Sequence, residues 1–156
     1  MSDKEALERK ARERGCFQAL KVLIEGTEEL TDWKPEVRKK GISYKHRASN
    51  RVMLRYGGLD SARPGLEADV YQGDNQFGAF FGVTEDEVIA RLKEYLPDAR
   101  DGYETGYENR KADWVPIRNE ADAERFVAFL RSFVGSDENK PGQWGDDSGG
   151  VPGGLG

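Results

Sequence analysis

Glu67 and Asp69, in the run Glu67-Ala68-Asp69-Val70-Tyr71, present two carboxylates to one side of an extended segment. Paired acids of this kind can hold Mg²⁺ for phosphodiester cleavage. Restriction-type nucleases that use such a pair follow the second acid, two residues on, with a Lys, and here that position is Tyr71. Simple cross-strand pairing of both acids with Arg51, Arg55 or neighbouring cations is therefore the expectation, and a metal-dependent nuclease is the third of three functional readings. Cys16 and His46 are the chain's single cysteine and single histidine, too few for a disulfide or a zinc cluster. Cys16 lies on the apolar side of a helical pattern and His46 on the core side of a strand near a turn, so both read as structural. The chain has no Gly-rich phosphate loop ending in Lys-Ser or Lys-Thr, no Gly-x-Ser-x-Gly elbow and no His-Glu-x-x-His pair. No catalytic residue, metal or cofactor is expected.

The stronger signal is charge. The 156 residues carry a formal net charge of -5, but it is segregated: -2 through Trp33, +7 from Lys34 to Gly58, and -10 beyond. In the basic segment Lys34, Arg38, Lys39, Lys40, Lys45, Arg47, Arg51 and Arg55 face Glu36 alone. Cations two apart along a strand stand about 7 Å apart, near the repeat of a nucleic-acid backbone. Lys39, Lys40, Lys45, Arg47, Arg51 and Arg55 are thus the candidate nucleic-acid contacts, with Tyr56 and Tyr71 available for stacking. The competing reading is internal neutralisation, or a protein partner that the module inhibits or regulates through the charged sheet face or an acidic tail.

The elements that must position these groups follow from periodicity. Ser2-Asp3-Lys4-Glu5 is a capping box that starts a helix. Cys16, Phe17, Leu20, Leu23 and Ile24 form the apolar face of its second half, and Gly15 is the point where it bends or frays. Between Gly41 and Gly82 the period falls to 2, predicting strands at 41–47, 51–57, 66–72 and 77–82. Strict alternation puts Ile42, Tyr44, Val52, Leu54 and Tyr56 on the core side, and Ser43, Lys45, Arg47, Arg51, Met53 and Arg55 on the other. Thr84, with Glu87 closing the box, starts a helix that Pro97 stops, and 98–111 reads as a loop. Trp114-Val115-Pro116-Ile117 gives a fifth, edge-like strand, and Asn119 caps a last helix ending at Gly135. The expected fold is α+β: an antiparallel sheet of about five strands with the N-terminal, middle and C-terminal helices on one face. Residues 1–135 form its single domain, and the Gly/Asp-rich 136–156, with Trp144-Gly145-Asp146-Asp147, reads as a disordered tail.

The stretch Arg91-Leu92-Lys93-Glu94-Tyr95-Leu96-Pro97-Asp98-Ala99-Arg100, then Gly102-Tyr103 and Lys111-Ala112-Asp113-Trp114-Val115-Pro116-Ile117, resembles the MmcQ/YjbR-type family over about 85–134. That resemblance implies a small α+β module without enzymatic activity, associated with DNA binding, in which Tyr103 and Trp114 are structural positions. The family's His before the Trp is absent here, where Lys111-Ala112-Asp113 precedes Trp114. No stretch approaches the roughly 20 apolar residues that cross a bilayer, and no apolar signal segment follows the N-terminus. A cytoplasmic protein that binds nucleic acid or another protein, and no membrane, is the expectation. Oligomeric state is not encoded in any of these features.

Overall fold

The computed structural model describes residues 2–73, 76–104 and 111–134. Helices α1 (Asp3–Glu13) and α2 (Phe17–Thr27) precede a meander of β1 (Trp33–Arg38), β2 (Gly41–His46), β3 (Val52–Gly57) and β4 (Leu66–Tyr71). Next come α3 (Phe77–Phe81), α4 (Glu85–Tyr95), β5 (Arg100–Glu104), β6 (Lys111–Ile117) and α5 (Glu120–Val134). The strands form one six-stranded antiparallel sheet in the order β1-β2-β3-β4-β6-β5. The α+β class and the helices on one face are as the sequence predicts, with one more strand.

Local signals set the helix ends. Ser2 Oγ accepts from the Glu5 amide at 3.1 Å and the Glu5 carboxylate accepts from the Ser2 amide at 2.9 Å. Gly15, at φ +73°, separates α1 from α2, so the predicted bend is a full break. Thr84 Oγ1 accepts from the Glu87 amide at 3.1 Å, but the Glu87 carboxylate pairs with Arg91 one turn on. Asn119 Oδ1 caps α5 through the Asp122 amide at 2.9 Å.

The core lies between the helices and one face of the sheet. Leu20 and Leu23 of α2, Val88 and Leu92 of α4, and Phe126, Phe129 and Leu130 of α5 pack on Ile42, Tyr44, Leu54, Ala68, Val70, Val115 and Ile117. The buried Tyr56 hydroxyl is satisfied by Thr27 Oγ1 at 2.6 Å.

Three segments differ from the sequence reading. Residues 77–81 are helix, not strand: Phe77, Phe80 and Phe81 sit at helical i, i+3, i+4 spacing, and the helix ends at Gly82 with φ +74°. Its rings gather on Trp33, at 5.9, 5.4 and 5.8 Å, and Phe77 stacks on Phe129 at 5.7 Å. The β4 edge that a 77–82 strand would have used is taken by β6. Second, Trp33–Arg38 is an edge strand, the place where Pro35 is tolerated. Third, Arg100–Glu104 lies in the predicted loop but pairs with β6 as the opposite edge, so β6 is an inner strand and not the edge expected for it; Pro116 is tolerated because the β5 pairing reaches only Trp114. The predicted tail at 136–156 lies outside the described residues.

Helices α2 and α5 approach closely at Gly26, where a Cβ would stand 2.6 Å from both Val127 methyl carbons. Gly→Ala inside a helix ordinarily gains about 1 kcal/mol, whereas overpacking costs about 1–3 kcal/mol. Gly26→Ala is expected to lower the melting temperature, and adding Val127→Ala to recover part of the loss; a higher melting temperature for Gly26→Ala alone would contradict this contact.

Candidate anion-binding surface

The face of the sheet opposite the helices carries the polar groups that the sequence singles out. Paired residues share a face, so the registers trace one row across all six strands: Glu36, Ser43, Arg55, Asp69, Trp114 and Arg100. Arg55 and Asp69 are its centre, directly opposite one another on β3 and β4. The Arg55 guanidinium lies across Gly41 and Gly57, and a Cβ on Gly41 would stand 2.8 Å from its Nη2. Two glycines make the room that this arginine occupies.

The six candidate cations do not form one row. The register of β2 and β3 slips between Tyr44 and Lys45, with Tyr44 opposite Leu54 and Lys45 opposite Val52, so Met53 is an extra residue. The bulge reverses the alternation on its N-terminal side. Met53 joins the helix-side core, and Val52 packs on the open face with Tyr71 and Ala112. Arg51, one residue further, is therefore turned away from the face of Lys45 and Arg55, and its Nε is buried without a hydrogen bond. Lys39 and Lys40 lie at the β1–β2 turn, where Lys40 pairs with Asp60 at 2.9 Å. Lys45 pairs with Glu36 at 3.0 Å, and Arg47 donates to the Thr31 carbonyl at 2.9 Å. Tyr56 and Tyr71 are 1% and 0% exposed, so neither ring can stack on a base. His46 packs edge-on against Phe80 at 5.1 Å, and Cys16 is buried, which pushes its thiol pKa up.

The two acids have separate partners. Glu67 accepts from the Trp114 indole N–H at 3.0 Å and meets Arg63 at 3.4 Å. Asp69 faces Arg55, not Arg51, and its Oδ1 is buried without a hydrogen-bond donor. Among the described residues no three His, Cys, Asp or Glu side chains are grouped as metal ligands.

Sequence reasoning missed the far end of this face. Arg63 and Arg100 lie over the Trp114 ring, at 5.0 and 5.4 Å from its centroid. Arg63 is held there from a distance. The Arg14 guanidinium, at the end of α1, donates to the carbonyls of Ser61, Arg63 and Gly65 and so clamps the β3–β4 connection. Gly65, at φ +78°, passes so close to the end of β6 that a Cβ would stand 2.9 Å from Arg118 Cα. The fastening of the Arg63-Pro64-Gly65 turn to α1 has no local signal in the sequence.

Burial is the main cause that pushes the Asp69 carboxyl up to about 7, with Arg55 opposing and Glu67 reinforcing the shift. The unfolded carboxyl titrates near 3.9, so the folded state keeps a proton that the unfolded chain releases. The stability tied to Asp69 is complete below about pH 4 and is lost as the pH rises through about 7. Asp69→Asn, which keeps the shape without the charge, is expected to flatten the fall of melting temperature between pH 5 and 8; an unchanged pH profile would show that Asp69 titrates normally.

Comparison with protein-family models, with curated proteins and with solved structures finds no match for this chain in any of the three.

Proposed function

We propose that the chain is a non-enzymatic binding module that takes nucleic acid through its phosphate backbone, using the cations of the β1–β3 meander that its own carboxylates leave unmatched. The observation that carries this is at the β1 edge. Lys34 and Lys45 stand directly opposite one another, Arg38 is on the same face, and Glu36 is the one carboxylate between them, at 3.0 Å from Lys45 and 3.1 Å from Arg38. Like charges opposite one another in a sheet are destabilising, and a bound polyanion relieves that repulsion. Lys34, Lys39, Arg47 and Arg51 have no carboxylate within ion-pair distance among the described residues, and the first three are exposed. The pairs of Arg38 and Lys40 are exposed too, 64% and 67% for the cations, and pairs of that kind are worth about 0–1 kcal/mol, so a phosphate displaces them cheaply.

The resemblance of 85–134 to the MmcQ/YjbR-type family supports the same class. The internal-neutralisation reading accounts for Lys40 and Lys45 but not for Lys34, Lys39, Arg47 and Arg51. A cytoplasmic location suits this reading.

With about four or five phosphate contacts, the affinity for a duplex oligonucleotide should fall with salt at a log–log slope of roughly -4. Fluorescence anisotropy across a salt series measures it. Lys39→Glu and Arg47→Glu are each expected to reduce the slope by about 1. No salt-dependent association at low ionic strength would overturn the nucleic-acid reading and leave an acidic protein surface as the partner for the same cations.

A further inference from the structure

At the opposite edge of the sheet a cavity of about 470 Å³ opens between the β3–β4 connection, the start of β5 and the end of β6. That size is within the range of small-molecule sites. Its lining divides cleanly by chemistry. Pro64, Pro116, Ala99 and the Trp114 ring supply rigid apolar surface, and Arg63, Arg100 and Arg118 supply three guanidinium groups against the single carboxylate of Asp98. Asp98 is already engaged by Arg118 at 3.0 Å and Glu67, beside the cavity, by Arg63 at 3.4 Å, so Arg100 is the lining guanidinium without an ion pair among the described residues.

The guanidiniums are also held in place before any ligand arrives. Arg118 is fixed by the Asp122 carboxylate at 3.1 Å, which accepts from its backbone amide at 2.9 Å as well. Arg63 is steadied by Glu67 and by the Arg14 clamp on its own backbone, and both Arg63 and Arg100 rest on the Trp114 ring. A guanidinium lying on an indole retains its outward donors and presents a flat, weakly hydrated plane. Such pre-positioned arginines suit a doubly charged oxyanion, because fixed forks lose little freedom on binding.

We infer that this cavity is a binding site for a small organic phosphate, a dianionic phosphomonoester carrying a flat body such as a nucleoside 5′-monophosphate. The phosphate is taken by Arg100 together with Arg63, whose long contact to Glu67 it displaces, and the flat body lies on the outward planes of the two guanidiniums and on Pro64 and Pro116, the buried indole serving as the floor beneath the arginines. This site is separate from the β1–β3 cations: it lies at the other edge of the sheet and shares no residue with them.

The test is a titration of the full chain with adenosine 5′-monophosphate, followed by ¹H–¹⁵N NMR at the Trp114 indole and the Arg63 and Arg100 side chains. Saturable shifts at these groups by about 5 mM ligand are expected. Adenosine alone should bind at least tenfold more weakly. Arg100→Gln and Arg63→Gln, both at exposed side chains, should each weaken binding about tenfold, since a charge-assisted hydrogen bond is lost. Lys39→Glu should leave it unchanged. Absence of saturable shifts, equal binding of adenosine, or shifts confined to the β1–β3 meander would each overturn the inference; the last outcome would still be compatible with the nucleic-acid reading.

Discussion

A sheet covered by helices on one side only must make its other side compatible with water and yet keep six strands in register. Here that is achieved by pairing unlike groups across strands along a single row, Glu36 through Arg100, with the Arg55–Asp69 couple at the centre. Much else follows from this couple. Gly41 and Gly57 are bare so that Arg55 can lie flat, and Glu67 is released to hold Trp114 and Arg63. Asp69 sits deep enough to retain a proton near neutrality. The open face is therefore a charge lattice with a desolvated middle and solvated ends.

That arrangement divides the basic segment into two populations. Lys45 is paired with Glu36 and Arg55 stands opposite Asp69, while the half-buried Arg51 has no carboxylate within ion-pair distance among the described residues. At the β1 edge and the turns Lys34, Lys39 and Arg47 are exposed and equally unmatched. The residual positive charge that reaches solvent therefore accumulates at the edge of the molecule, and that accumulation is what argues for a partner. The arginines around Trp114 make a second positive region with a different texture, fixed and floored by apolar surface.

How far the sequence could be read depended on the range of the signal. The capping groups of Ser2, Thr84 and Asn119 are local, and each marks a helix start. The strands at β2, β3 and β4 follow from their alternation. What could not be read was phase. One extra residue, Met53, reverses the faces of Val52 and Arg51, and no composition rule marks it, since Val52-Met53-Leu54 is apolar on any reading. The same limit applies to 77–81, whose aromatic residues fit period 2 and period 3.6 equally well until Trp33, Phe129 and Phe133 decide. At the candidate sites, the edge cations were legible from composition alone. The cavity was not, because its residues come from the β3–β4 connection, the approach to β5 and the end of β6, and meet only through tertiary contacts.

The clamp from Arg14 ties two distant parts of the chain into one mechanical unit. Helix α1 buries little beyond Leu7 and Ala11, yet its C-cap residue, Arg14, holds three carbonyls of a loop about fifty positions away in sequence. Opening of the helix end releases the loop, and movement of the loop strips the helix of its anchor. Their amides accordingly belong to one cooperative opening event. Anything that steadies Arg63 over Trp114 slows exchange in the first helix, so the N-terminus of the chain is a remote reporter of what occupies the far edge of the sheet.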